Sequence, residues 1–375
     1  MRFAIIDLNN LYFRALNGAG KNSDAFTKAG MSVHIIFQTL RKLHREFAID
    51  HMVFCLDSNS WRNGVYPQYK LKRKLSRLER SEREKEEDEI GFSVLQDFTT
   101  FISEHTRCTV LQKNGVEADD FVARWTQLHP DDTHFILSSD SDFLQLIAEN
   151  ISIIDGMGER VITLDGVKNL KGEELVFAVD SKDGKLKVEG TVEACKKAHG
   201  AAEKAKRKID PAYTPAEYVN GSPGRAQEWW REALFLKIIR GDVGDGIFSA
   251  YPKVRYKGTS KATGIREAWE DRGAGGFHWN NFMLQKWSKM TGLDGTAKEV
   301  RVIDEYKFNE SLIDLTKQPE DVKNSMDEAI IEAAQKPSPT NIGIALLKFC
   351  GKQSLPVVAK DASDHAKYLG AGYKK

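Results

Sequence analysis

The sequence predicts an α/β fold with a doubly wound, mostly parallel sheet, followed by a mainly helical C-terminal region. Three observations predict it. Over residues 1–170, short apolar runs alternate with segments of helical period. Four of those runs lead into an aspartate: Arg2–Ile6 into Asp7, His51–Leu56 into Asp57, His134–Ser139 into Asp140 and Ile151–Ile154 into Asp155. After about residue 225 the pattern turns helical, with turn signals at Gly273–Gly276 and Pro337–Pro339.

In chain order, a fifth strand is expected near Gln112, and helices over Val33–Phe47, Ile90–His105, Ala118–Leu128 and Asp142–Ala148. Residues 62–90 break the rhythm. They are too charged to pack as a crossover helix and too long for an ordinary loop, so they read as a partly helical projection above the carboxyl edge of the sheet. Residues 171–224 form a charged insertion, with a hairpin signal at Asp183-Gly184 and a basic helical stretch over Lys196–Lys208. A helix over Trp229–Ile239 leads into Gly241-Asp242, and another spans Thr263–Trp269. The expected division is a core over 1–170, the insertion over 171–224 and a C-terminal domain over 225–375.

A length of 375 residues suits two domains, and a hydrophobic fraction of 41% supports a real core. The formal charge of +1 hides a dense basic segment, Arg62–Arg80, opposed only by Glu79. Such a segment in a neutral chain suits a protein that holds a polyanion at one place. Cys55, Cys108, Cys195 and Cys350 show no metal or disulfide spacing and read as reduced thiols. No signal-peptide core and no membrane-spanning run is present, so a cytoplasmic location and no membrane partner are expected.

Ligand sites in open α/β sheets lie outside the carboxyl ends of the strands, so the strand-terminal acids would converge. Two carboxylates repel by about 4 kcal/mol at 4 Å and an effective dielectric near 20. Divalent cations would offset that repulsion. Singly, each acid has a plainer explanation. Asp142 fits an N-cap, Asp57 a turn, and Glu117, Asp119 and Asp120 the favourable end of a helix dipole. Jointly they point to a metal site, completed by Asp242 and Asp245 in a glycine-rich loop. Lys70 and Arg73 are placed to offset charge on a phosphate; a solvated helix face explains Lys72 and Lys74 equally well. The stretch Ser249–Ala262 carries Lys253, Arg255, Lys257 and Lys261 ahead of a helix N-terminus, a phosphate-binding arrangement whose plainer alternative is a solvated basic loop. Tyr12 and Phe13 are candidates for base stacking or for the core.

Ile6-Asp7, Cys55-Leu56-Asp57, Tyr69-Lys70 with Arg73, Val116–Asp120, Ser139–Phe143 and Gly241–Asp245 follow one another as in the flap endonuclease/5′-nuclease superfamily. The chain most resembles its bacteriophage branch, the T-even-type ribonuclease H/5′–3′ exonucleases, over residues 1–165 and 225–270. The resemblance implies a PIN-like core with a helical arch over about 62–92. It implies two Mg²⁺ ions, replaceable by Mn²⁺, that hydrolyse phosphodiesters. Asp7, Asp57, Glu117, Asp119 and Asp140 would surround the first ion; Asp120, Asp142, Asp242 and Asp245 would serve the second. Lys70 and Arg73 would act as electrophilic helpers. Arg62, Tyr69, Lys72, Lys253, Arg255, Lys257 and Lys261 would contact DNA, the last four within a helix–three-turn–helix over about 240–270. The family's Gly-hydrophobic-Gly hairpin is replaced by Ile247–Pro252, which leaves bound potassium and the exact duplex grip unsupported. Asp155 matches no family ligand.

Implied partners are DNA with 5′ flaps, nicks or single-stranded 5′ ends, RNA–DNA hybrids, and a single-stranded-DNA-binding protein as a candidate; a monomer in an infected bacterial cytoplasm is expected. The implied activity is removal of primers or flaps during replication. One rival is a PIN-type ribonuclease, which needs neither the long arch nor Asp242 and Asp245. The other is a non-catalytic branched-DNA-binding protein, against which the intact run of acids argues.

Overall fold

The computed structural model describes residues 1–20, 23–155, 159–179, 186–204, 223–290, 297–336 and 338–373. β1 (Arg2–Asp7) and β2 (His51–Cys55) are buried along almost their whole length, as continuous apolar strands covered on both faces must be. With β3 (Thr109–Leu111), β4 (Thr133–Leu137) and β5 (Ile151–Asp155) they form a parallel sheet in the order β3-β2-β1-β4-β5. β6 (Arg160–Thr163) and β7 (Gly166–Asn169) extend it antiparallel. The turn between them is far too short for the crossover that a parallel return needs. The sheet is therefore mixed and mostly parallel.

Strand order reverses between β1 and β4. The strand ends flanking that reversal carry Asp7 and, just past β4, Asp140. A crevice at such a switch point is where open α/β sheets place their ligands.

Alternate strand residues face two helical layers. Ala4, Ile6, Met52 and Phe54 join Val33, Phe37, Phe98, Leu346 and Phe349 in one core. Phe3, pointing the other way, meets Trp125 of the helix Ala118–Leu128 edge-on at 5.3 Å. The helix Ala25–Phe47 starts at an Asp24 cap and ends at Ala48 in the left-handed region. The helix Glu82–His105 begins earlier than its apolar period suggests, because Ser81 and Glu84 form a capping box ahead of its polar first turns. Asp142–Ala148 is instead a 3₁₀ turn over Ser141–Leu146.

The chain divides into two units. The first comprises 1–61, 78–174 and 319–375; the second comprises 62–77 and 175–318. The sequence reading groups 225–375 together, whereas the helices Glu320–Gln335, Ile342–Lys352 and Ala362–Leu369 belong to the first unit. Leu346, Phe349 and Tyr368 complete its apolar core, and Arg124 grips Asp327 through two hydrogen bonds of 2.7 and 2.6 Å.

In the second unit the helix Pro223–Arg240 packs Phe235, Leu236 and Ile239 against Ala250, Ile265, Phe282 and Val302. Within the insertion, Glu174–Val179 pairs antiparallel with Leu186–Thr191 ahead of the helix Val192–Lys204. The predicted turn at Asp183-Gly184 and the stretch beyond Lys204 to Lys208 lie outside the described residues. Among the described residues no helix is long and apolar enough to cross a membrane, and all four cysteines are free.

Candidate active site

At the switch point Asp7 ends β1 and caps the next helix, accepting hydrogen bonds from Asn10 N at 3.1 Å and Ser138 Oγ at 3.1 Å. Burial, together with the nearby charges of Asp57 and Asp140, raises its carboxyl to about 7. Asp140 accepts from Asp142 N at 3.0 Å, which turns the chain so that both acids share one side. Asn10 Oδ1 accepts from Ser139 N and Ser139 Oγ, tying this turn to the helix after β1.

Asp119, Asp140 and Asp142 each place a carboxylate oxygen within 4.8 Å of the others. Hard oxygen donors at that spacing suit Mg²⁺ or Mn²⁺, so these side chains fit the divalent ions that the sequence resemblance implies. Asp57 stands beside them, accepting from Ala118 N at 3.0 Å at the start of the helix that carries Asp119.

Glu117 and Asp120 are turned inward. Glu117 is 5% exposed and accepts from Ser60 Oγ at 2.6 Å. Asp120 is wholly buried and accepts from Trp61 Nε1 at 3.1 Å and Glu117 N at 3.3 Å. Ser60, Trp61, Ser138 and Asn10 escaped the sequence reading, since nothing in a lone serine, tryptophan or asparagine signals a carboxylate partner. Asp155 pairs with Arg14 at 3.2 Å and Arg160 at 3.7 Å.

Asp242 and Asp245 lie in the second unit, within a tight loop. Asp242 and Ile247 exchange backbone hydrogen bonds of 2.9 and 2.8 Å. Gly241 closes the loop with φ +74°, where a Cβ would lie 2.3 Å from Ile247 O. Lys237, also absent from the sequence reading, pairs with Asp242 at 2.8 Å. Burial opposes the charge on Asp242, but Lys237 and the amides of Gly244 and Asp245 outweigh it and hold the carboxyl below its ordinary value. Asp245 is raised by burial, against the opposing pull of Lys70 and Arg73. Arg73 reaches Asp245 at 2.9 Å and Lys70 at 3.9 Å. Lys70 itself sits in the left-handed region at φ +53°, held by a 2.8 Å hydrogen bond from its amide to Asp245 O.

The predicted DNA contacts divide. Lys72, Lys253, Arg255, Lys257 and Lys261 are exposed. Arg62 and Tyr69 are not: they are 2% and 3% exposed. Arg62 Nε donates to Leu312 O at 2.8 Å, and Tyr69 donates its hydroxyl to Asp245 at 3.1 Å while packing on Ile238 and Ile247. These two anchor the basic segment within its own unit and offer DNA no surface. Their place in a charged, polar segment hid the distant partners that bury them.

Two alternatives left open by the sequence narrow. The helix Ile265–Glu270 has no open N-terminus for a phosphate, because Glu267 accepts from both Gly258 N and Gly264 N at 2.9 Å. The groove beside it is lined by Tyr251, Lys253, Arg255 and Thr263. Tyr12 belongs to the core, its hydroxyl bonded to Gly91 O at 2.8 Å.

Residues 2–172 match the family model of the 5′–3′ exonuclease N-terminal, resolvase-like domain. Among solved structures, the chain is similar to a bacteriophage T5 protein co-crystallised with metal ions, at 18% identity and TM-score 0.50, over 89% of this chain and 100% of that one. It is also similar to the phage T5 5′-exonuclease with divalent zinc bound, at 17% identity and TM-score 0.47, over 98% of this chain and 100% of that one.

Proposed function

We propose that this chain, whose residues 2–172 match the 5′–3′ exonuclease N-terminal domain, is a structure-specific 5′ nuclease acting on DNA and RNA–DNA hybrids. The observation that carries this reading is the gathering of Asp119, Asp140 and Asp142 beside Asp7 at the switch point of the sheet. Asp7, Asp57, Glu117, Asp119, Asp140 and Asp142 would hold divalent ions, and Asp242 and Asp245 are the second unit's candidate ligands. Divalent ions bound there would stabilise the charge that develops on a phosphodiester during hydrolysis.

The chain's own residues do the rest. Lys70 and Arg73 would move from Asp245 to the scissile phosphate and offset its charge. Lys72 would meet the backbone of a single-stranded 5′ end. The segment from about 62 to 92 would serve as the arch that admits that end. Lys253, Arg255, Lys257 and Lys261 would hold duplex phosphates from a helix–three-turn–helix over about 240–270. RNase H activity, and removal of primers or flaps in replication, follow from the same reading.

The test is incubation with end-labelled 5′-flap, nicked-duplex and RNA–DNA hybrid substrates in Mg²⁺ or EDTA. Cleavage of flaps and hybrids in Mg²⁺ alone is expected. Binding without cleavage would leave a branched-DNA-binding protein, and cutting of single-stranded RNA alone would leave a PIN-type ribonuclease.

A further inference from the structure

Glu117 and Asp120 bracket Asp119, and neither is held by its own helix alone. We propose that Ser60 and Trp61 are positioning residues that fix these acids, and through them Asp119, in the geometry that divalent ions require. The inference rests on the nuclease reading only for its consequence in catalysis.

Four contacts carry it. Ser60 Oγ donates to Glu117 Oε2 at 2.6 Å, and Trp61 Nε1 donates to Asp120 Oδ2 at 3.1 Å. Trp61 N donates to Gly115 O at 2.9 Å, which fixes the backbone from which both side chains reach. Glu117 N donates to Asp120 Oδ2 at 3.3 Å, completing a capping box at the start of the helix Ala118–Leu128. One short segment therefore determines the orientation of two buried carboxylates on successive sides of the ligand candidate between them. Asp120, wholly buried under the Trp61 indole N–H, acts in this scheme as a support for the ligands instead of as one of them.

The placement along the chain adds a consequence. Ser60 and Trp61 end the first unit's opening segment, and the next residue, Arg62, begins the basic segment of the second. The residues that lead into Lys70 and Arg73 are thus the same ones that orient the acids. Partners of this kind around metal ligands typically carry about 10–100-fold in metal affinity or activity.

Trp61→Phe keeps an aromatic ring and removes the donor; Ser60→Ala removes the hydroxyl; Ser60→Thr keeps it. Mn²⁺ affinity without nucleic acid, read by electron paramagnetic resonance of the free ion, should weaken about 10–100-fold in Trp61→Phe and Ser60→Ala. The Mg²⁺ concentration for half-maximal single-turnover cleavage should rise in parallel, while flap affinity in EDTA stays at the wild-type value. Ser60→Thr should recover most of the loss, which ties it to the hydroxyl donor. Unchanged Mn²⁺ affinity in both donor-removing variants would overturn the proposal. A wild-type protein that cuts nothing, alongside weakened Mn²⁺ binding in the variants, would overturn the nuclease reading and leave the positioning role standing.

Discussion

Asp140 is the acid on which most of the local geometry turns, since it joins the carboxylate cluster and also accepts from Asp142 N. Asp140→Asn keeps a side-chain oxygen for that turn and removes the charge. Cleavage should therefore fall by about 10³-fold, or about 4 kcal/mol of transition-state stabilisation, while flap affinity in EDTA is retained. Full activity in this variant would remove Asp140 from the site. The acids are legible in the sequence and their partners are not. Asp7 and Asp57 follow apolar runs that parallel, doubly covered strands must display, so their place at a sheet edge is written in the pattern. Ser60 and Trp61 act through contacts between segments far apart in the chain, and local composition carries no trace of such pairs.

Among the structural elements, the loop Gly241–Ile247 and the segment Tyr66–Lys70 hold one another closely within the second unit. Tyr66 donates its hydroxyl to Gly246 O at 3.1 Å and Lys70 N donates to Asp245 O. Gly246 has φ +75°, and a Cβ there would lie 2.8 Å from Gln68 O. Gly246→Ala therefore meets both a left-handed backbone and a rigid carbonyl, and should destabilise the unit by about 2 kcal/mol or more. Gly172→Ala has a similar φ of +81° with nothing within 4 Å, and should cost only the conformational part, about 1 kcal/mol. Denaturant unfolding of the two variants measures the difference; equal losses would mean that Gln68 moves aside freely. The loop was legible as glycine-rich, and its close neighbour within the unit is the backbone of Gln68. The basic segment was legible as charge, and its buried anchors, Arg62 and Tyr69, were not. A tyrosine between glutamine and lysine reads as surface until Ile238, Ile247 and Leu312 arrive from far along the chain.

Across the whole molecule, the acid cluster and the packing of the chain's last described residues occupy opposite edges of one sheet. The carboxyl ends of β1 and β4 carry the acids, whereas their amino ends meet a cluster of Phe3, His51, Trp125, His129 and His134. Residues near the end of the chain seal that cluster: His51 Nδ1 lies 2.9 Å from Ala371 O, and the Tyr373 hydroxyl 2.7 Å from His129 Nε2. His51 Nε2 also meets Thr109 Oγ1 at 2.8 Å, and His134 Nε2 meets His129 O at 2.8 Å. Burial lowers the proton affinity of both His51 and His134 from the ordinary 6.5. Of the other charged groups near His134, Asp132 and the N-terminal amine pair with each other, so they offer it little net compensation. A histidine with a depressed folded-state pKa binds fewer protons folded than unfolded. Its contribution to stability is therefore complete above about pH 6.5 and is lost progressively as pH falls below that value. As pH falls from 7.5 to 5 these histidines should pull stability down, against Asp7, whose raised carboxyl takes up a proton in the folded state over the same range. Denaturant unfolding of His134→Asn, which cannot take up a proton, should show a less acid-sensitive slope than the wild type. An identical slope in the variant would assign the acid sensitivity to other groups and leave this edge of the sheet indifferent to pH.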